Sequence, residues 1–323
     1  MATLLEKFLR NFTFVRRLER RIGWLESEAQ RLEGEKAQMV AETTHWRKFV
    51  PPGHFYSPLP SPSEIADAGA RDLFEPKTRF AALDLREAEQ LALAEKFAEY
   101  YPQQPFSEKP TPGRRFYLDN PSYSHHDAII LYCMLRHLQP KRIIEVGSGF
   151  SSAALLDINS FAMDGRMHLT FIDPDMTRLR PLLGVGDEGR ATLIEQRLQE
   201  LPLDVFAALE ANDVLFIDSS HVSKVGSDLH RLIFDILPVL RPGVHVHIHD
   251  VPGNLEYPRD WFEEGRAWNE VYLLRAFLMY NRAFVVKFFS MWFYHNHHAF
   301  LRAHLPLCAQ GGGGQIWLCR AAL

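Results

Sequence analysis

The chain is short of three things: cysteine, an excess of one charge, and any long apolar run. Its three cysteines, Cys133, Cys308 and Cys319, are odd in number and lack metal-type spacing. That excludes a disulfide framework and fits a reducing compartment. Thirty-six Lys and Arg stand against 40 Asp and Glu, a formal net charge of -4. Without a concentrated basic face, a nucleic-acid partner has no electrostatic footing. The most apolar stretch, AFVVKFFSMWFY, spans 283–294 and carries Lys287, too short and too polar to cross a bilayer. The opening MATLLEKFLRNFTFVRR has charges every few residues and no continuous apolar segment, so it is a poor secretion signal. The expectation is a cytoplasmic protein with neither a membrane nor a nucleic-acid partner.

What is present falls into three zones. Residues 1–48 are highly charged, with Leu18, Ile22, Leu25, Ala29 and Leu32 at alternating four- and three-residue spacing. That is the a/d seam of a coiled-coil-like helix, weakened by Gly23 and Gly34. Two readings stay open: a homo-oligomer formed through this helix, or a helix docked on its own domain. Residues 49–115 read as a Pro-rich and helical cap. VPPGHFYSPLPSPSE and QQPFSEKPTPGRR cannot be regular helix or central strand, and a helix over about 85–100 separates them. His54 and Tyr56 are unusual in a free linker and are expected to cover a site.

Residues 116–323 alternate strand and helix signals. RIIEV, LTFID, ATLI, DVLFID and HVHIHD are strand candidates, separated by helical stretches such as SSAALLDINSF, MTRLRPLLG and VGSDLHRLIFDILPVL. The rhythm predicts an α/β fold, a doubly wound Rossmann-like sheet that is mostly parallel. A long helix over 260–280, the strand AFVVKFFS, a His-rich loop and a final QIWLCRA follow, predicting an antiparallel pair at the end of the sheet.

In such sheets ligands bind at the carboxyl ends of the strands, where the turn Gly147-Ser148-Gly149 falls. A dinucleotide fold would place a third glycine where Ser152 stands. Glu145, just before the turn, would repel a pyrophosphate but suits a cofactor carrying an ammonium and a sulfonium. S-adenosylmethionine is such a cofactor. Asp173 ends the next strand, where a carboxylate accepts hydrogen bonds from ribose hydroxyls.

EVGSGFSS, FIDPD, LFIDSSH and RPGVHVHIHDV, in that order and spacing, resemble the class I S-adenosylmethionine-dependent methyltransferases. The similarity is to the bacterial branch of macrocin O-methyltransferase-like and cephalosporin-hydroxylase-like proteins, and covers about 117–320. The resemblance implies a seven-stranded sheet with only the last strand antiparallel. It also implies a cofactor loop of Glu145, Gly147 and Gly149 around Ser148, with Asp173 as the ribose carboxylate. Asp218 and His221 match a strand-four motif, I-D-G-x-H, from which Ser219 departs.

Methyl transfer to a hydroxyl needs alignment and proton removal. His221, at an ordinary imidazole pKa of about 6.5, is the expected base, with Asp218 beside it at the cofactor. Asp218 and Asp250 end neighbouring strands and form a tentative pair for magnesium. Catechol-type enzymes have an Asn after the second carboxylate, where this chain has Val251. His245, His247 and His249 share one face of a strand, and only His249 is expected near the chemistry. His295, His297 and His298 are expected in a surface loop, and Ser124-His125-His126-Asp127 beside the methionine end of the cofactor. Trp268, Asn269 and Glu270, with His54 and Tyr56, are the expected acceptor contacts. The expected reaction is methyl transfer to an oxygen of a small-molecule or sugar-derived acceptor. Two alternatives remain open: an NAD(P)-dependent oxidoreductase, disfavoured by Glu145 and Ser152, and a non-catalytic S-adenosylmethionine-binding scaffold.

Overall fold

Short apolar runs bounded by turns assemble into one seven-stranded sheet, ordered β3-β2-β1-β4-β5-β7-β6. The strands are β1 (Arg142–Val146), β2 (His168–Ile172), β3 (Ala191–Ile194), β4 (Val214–Ile217), β5 (His245–Ile248), β6 (Phe284–Phe289) and β7 (Ile316–Arg320). In this computed structural model residues 2–46, 49–123 and 125–322 are described; Lys48, which closes the first sequence zone, and Ser124 lie outside them. β1 pairs in parallel with β2 and β4, and β4 with β5, whereas β7 runs antiparallel to both β5 and β6. Every residue of β4 and β5 is buried, as expected of strands covered on both faces. The expected doubly wound fold with an antiparallel last strand is the fold observed.

The chain divides into two compact units, 1–65 and 66–323, a division that does not follow the expected boundaries at 48/49 and 115/116. In the first unit α1 is a single helix, Ala2–Trp46, and the Pro-rich 49–61 are turns and bends. The helix α2 (Pro62–Ala70) crosses the boundary. In the second unit α3 (Glu87–Tyr100) sets Phe97 edge-on to Phe288 of β6, ring centroids 5.2 Å apart. Gln90 of the same helix accepts a hydrogen bond from Phe289 N at 2.8 Å, so this segment is part of the sheet's own core. α4 (His125–Leu138) is buried along almost its whole length. α5 (Phe150–Ala162) follows β1. Arg115 bridges two buried carboxylates, Asp157 of α5 at 2.8 Å and Asp187. No helix among the described residues is long and apolar enough to cross a membrane.

Three local expectations give way. MTRLRPLLG makes only a 3-10 turn, Arg180–Leu182, because Pro181 cannot donate a helical hydrogen bond. The long helix over 260–280 is two, Arg259–Glu263 and Glu270–Leu278. Gly265 ends the first in a left-handed conformation, φ 82°, as glycine readily does. The His-rich loop is helical, Ser290–Asn296 and His298–His304.

Candidate active site

The strand order reverses between β1 and β4, and there the carboxyl ends of β1, β2, β4 and β5 open onto a cavity of about 1450 Å³. The glycine turn forms its floor. Gly147 has φ 85°, and a Cβ there would run into the carbonyl oxygen of Asp218, so glycine is required on both conformational and steric grounds. Gly149 is extended, with nothing within 4 Å of a would-be Cβ; it leaves open space at the start of α5. Asp173 holds the turn in place, accepting a hydrogen bond from Ser148 N at 2.8 Å while still facing the cavity.

Glu145 is elsewhere. It is fully buried beneath the turn, where Ser151 and Ser152 each donate a 2.5 Å hydrogen bond to its carboxylate. Ser152 Oγ also accepts from Gly149 N at 3.1 Å, closing the first turn of α5. Burial pushes the Glu145 pKa up to about 8 against the two hydroxyls that lower it. The expectation that Glu145 touches the cofactor is therefore corrected. Strand alternation turns its side chain into the helix layer, and it braces the turn from below.

Beside the turn Asp218, His221 and Asp250 converge, with one donor atom from each within 4.8 Å of the others. His221 Nε2 lies 3.4 Å from Asp218 Oδ1 and 3.4 Å from Asp250 Oδ2. Its Nδ1 is 2.8 Å from Glu270 Oε2, and Trp268 packs on its ring, centroids 4.3 Å apart. Both His221 (φ 58°) and Asp250 (φ 54°) are left-handed, a conformation that costs energy for non-glycine residues and collects at functional sites. The His221 backbone is fixed by its carbonyl, which accepts from Asn269 N and Glu270 N at 3.1 Å each, at the start of the helix Glu270–Leu278.

These contacts set the charges. Burial lowers the His221 pKa, but Asp218, Glu270 and Asp250 outweigh it and raise it to about 10. The expected ordinary imidazole pKa is thus corrected: before any ligand binds, His221 is an imidazolium at neutral pH. His249 behaves likewise, with burial opposed and exceeded by Asp218 and Asp127, so that its pKa lies well above the usual value. Its Nδ1 is 3.5 Å from Asp250 Oδ1 and its Nε2 3.6 Å from Asp127 Oδ2. Asp218, though burial raises its pKa, is held below the usual carboxylate range by these two histidines. Imidazoles and carboxylates thus alternate along the wall. The other two histidines of β5 are neutral. Burial pushes His245 down to about 4 and His247 well below its usual value, and His247 stacks flat on Phe216 at 3.8 Å. Of the three, only His249 lines the cavity.

Of the expected acceptor contacts, Trp268 lines the cavity beside Trp261 and Arg266. Asn269 and Glu270 do not. Asn269 grips the backbone of Ser223, accepting from its N at 2.5 Å and donating to its O at 3.3 Å. Glu270 is buried behind His221. Both assignments relied on a continuous helix that Gly265 breaks. His54 and Tyr56 lie in the first unit, where His54 Nδ1 accepts from Tyr56 N at 3.2 Å. Sequence reasoning missed the stacking of Tyr123 on His249, centroids 5.2 Å apart, and the pairing of Asp127 with His249. Asp127 also receives Gly314 N at 2.8 Å, a link over 187 residues of chain that no local pattern announces.

A family model described as a methyltransferase domain matches residues 144–251. An uncharacterized protein of Archaeoglobus fulgidus is 31% identical over 172 residues, 51% of this chain and 76% of its own length. Among solved structures, the chain is similar to a SAH-bound methyltransferase of Podospora anserina, at 15% identity, coverage of 82% of this chain and 98% of that one, and a TM-score of 0.39. It is similar also to the O-methyltransferase TomG of Streptomyces achromogenes in complex with SAM, at 14% identity, coverage of 80% and 96%, and a TM-score of 0.37. The oxidoreductase alternative falls with the domain match. This chain belongs to the class I S-adenosylmethionine-dependent methyltransferases, in one family with the Archaeoglobus fulgidus protein.

Proposed function

We propose that the protein transfers the methyl group of S-adenosylmethionine to an oxygen of a small-molecule acceptor, a sugar-derived hydroxyl among the options. The observation that carries this reading is the convergence of Asp218, His221 and Asp250 in the same cavity as the glycine turn and Asp173. In this reading Gly147, Ser148 and Gly149 give the cofactor close backbone approach, and the remaining lone pairs of Asp173 accept its ribose hydroxyls. Trp268 and Trp261, 5.1 Å apart and edge to face, form an apolar wall for the acceptor.

The acceptor hydroxyl meets His221 Nε2, with Glu270 fixing the opposite ring nitrogen. To take a proton, His221 must first release to solvent the one it holds. A positive charge brought beside Asp218 and Asp250 competes with the imidazolium for them and lowers its pKa. The two carboxylates, with donor oxygens within 4.8 Å of each other, also suit a divalent cation. Magnesium held by Asp218 and Asp250 would supply Lewis-acid polarisation of the acceptor oxygen.

Calorimetry with S-adenosylmethionine and its demethylated product tests the cofactor half of the reading. Asp173→Ala should weaken binding by roughly 2–4 kcal/mol through loss of hydrogen bonds to a charged group. Unchanged affinity in that variant would remove Asp173 from the cofactor site. Mass spectrometry of a panel of hydroxylated acceptors, with and without chelator, tests the oxygen and metal assignments. Transfer to amines alone would overturn the first, and chelator-resistant turnover the second.

A further inference from the structure

We propose that α1 pairs in parallel and in register with α1 of a second copy of this chain, forming a two-stranded coiled coil. The seam is longer than five residues. Val15, Leu18, Ile22, Leu25, Ala29, Leu32 and Lys36 follow a strict three-four alternation, placing 15, 22, 29 and 36 at a and 18, 25 and 32 at d. All lie in one helix, Ala2–Trp46. The large apolar members are about half exposed: Val15 48%, Leu18 46%, Ile22 53%, Leu25 50% and Leu32 51%. A strict seven-residue repeat is the period of a helix wound on another helix, not of one lying on a globular surface.

The occupant follows from length and chemistry. No other helix among the described residues exceeds 14 residues, so the chain offers α1 no helix of matching length. A second α1 supplies both length and period. Val15 and Ile22 at a with Leu18, Leu25 and Leu32 at d is the combination that favours two parallel strands. Gly23 and Gly34, which weaken the seam when read as sequence, fall at b and f. Both positions lie outside the a/d seam.

Charge selects the direction. The e positions are Glu19, Glu26 and Glu33; the g positions are Arg21, Glu28 and Glu35. In parallel register Arg21 meets Glu26 of the second copy, and Lys36 at a lies beside its Glu35. Glu28 would oppose Glu33, but Arg31 on the same helix already binds Glu28 and Glu35, each at 2.5 Å. An antiparallel pair centred on Glu26 would set one wholly acidic flank against itself.

Sedimentation of the full chain should report twice the 37.3 kDa chain mass, and Ile22→Glu/Leu25→Glu should halve it. Leu18→Cys should give a disulfide-linked dimer on oxidation, because parallel register brings residue 18 to residue 18. Arg20→Cys, at the outer f position, should stay unlinked. A wild-type mass of one or three chains would overturn the proposal. So would a dimer that survives the double glutamate substitution, or equal linking at positions 18 and 20. An antiparallel pair would be recognised by its dimer mass with no Leu18→Cys linking, and would overturn the assigned direction.

Discussion

Replacing Glu270 by Gln removes one negative charge from behind His221 while keeping the side chain's shape. Glu270 Oε2 lies 2.8 Å from His221 Nδ1, and both residues are buried. A hydrogen bond involving a charged group contributes about 1.5–3 kcal/mol, and one pKa unit corresponds to about 1.4 kcal/mol. The substitution should therefore lower the His221 pKa by roughly 1–2 units from its value of about 10. Asp218 and Asp250, each 3.4 Å from Nε2, keep it above an ordinary imidazole. The sign for stability follows. The His221 pKa is raised on folding, so its protonation stabilises the fold fully below about 6.5. That contribution is lost as pH rises through about 10. In Glu270→Gln the loss should still begin at about 6.5 but be complete at lower pH. Nitrogen-edited NMR of the imidazole, assigned with His221→Gln, reads the midpoint directly. A wild-type midpoint near 6.5, or one that Glu270→Gln leaves in place, would refute the electrostatic account of this site.

Arg115→Ala should cost about 3–5 kcal/mol in urea unfolding, because it strands the buried Asp157 and Asp187 without their cation; a loss below 1 kcal/mol (~) would show the triad to be relaxed by water. Glu145 is raised to about 8, so its contribution is full below about 4.5 and is lost as pH rises through about 8. Glu145→Gln should accordingly gain melting temperature relative to the wild type as pH rises from about 4.5 to about 8, and parallel melting curves across that range would contradict the burial of a reluctant carboxylate.

The sheet was legible because each strand is a local apolar run, and the parallel order follows once helices alternate with strands. The glycine turn, Asp173, Asp218 and Asp250 were legible for the same reason: each sits at a strand's carboxyl end. Glu145 was misplaced because charge suggested its partner, while its side-chain direction was set by strand alternation. Asn269 and Glu270 were misassigned through one glycine, since Gly265 ends a helix that hydrophobic periodicity alone carries onward. Asp127 could not be placed at His249, because that pairing depends on how α4 and the 311–314 turn come together. The His221 pKa required three carboxylates, at the ends of β4 and β5 and at the start of a later helix. Sequence order does not encode such sums.

Gly147 and Asp218 meet with no room between them: the absent Cβ of one is occupied by the carbonyl of the other, and Asp218 N donates to Val146 O at 2.9 Å. In the proposed reading, the floor under the cofactor and the wall beside the acceptor thus meet in one closely packed corner. On that proposal a change of acceptor made there disturbs the cofactor. The segment after β5, where Trp261, Arg266 and Trp268 stand on loops and a short helix, is the place to accommodate it. In an engineering sense the protein separates into a fixed half and an exchangeable half, and the junction runs through the backbone of residue 218.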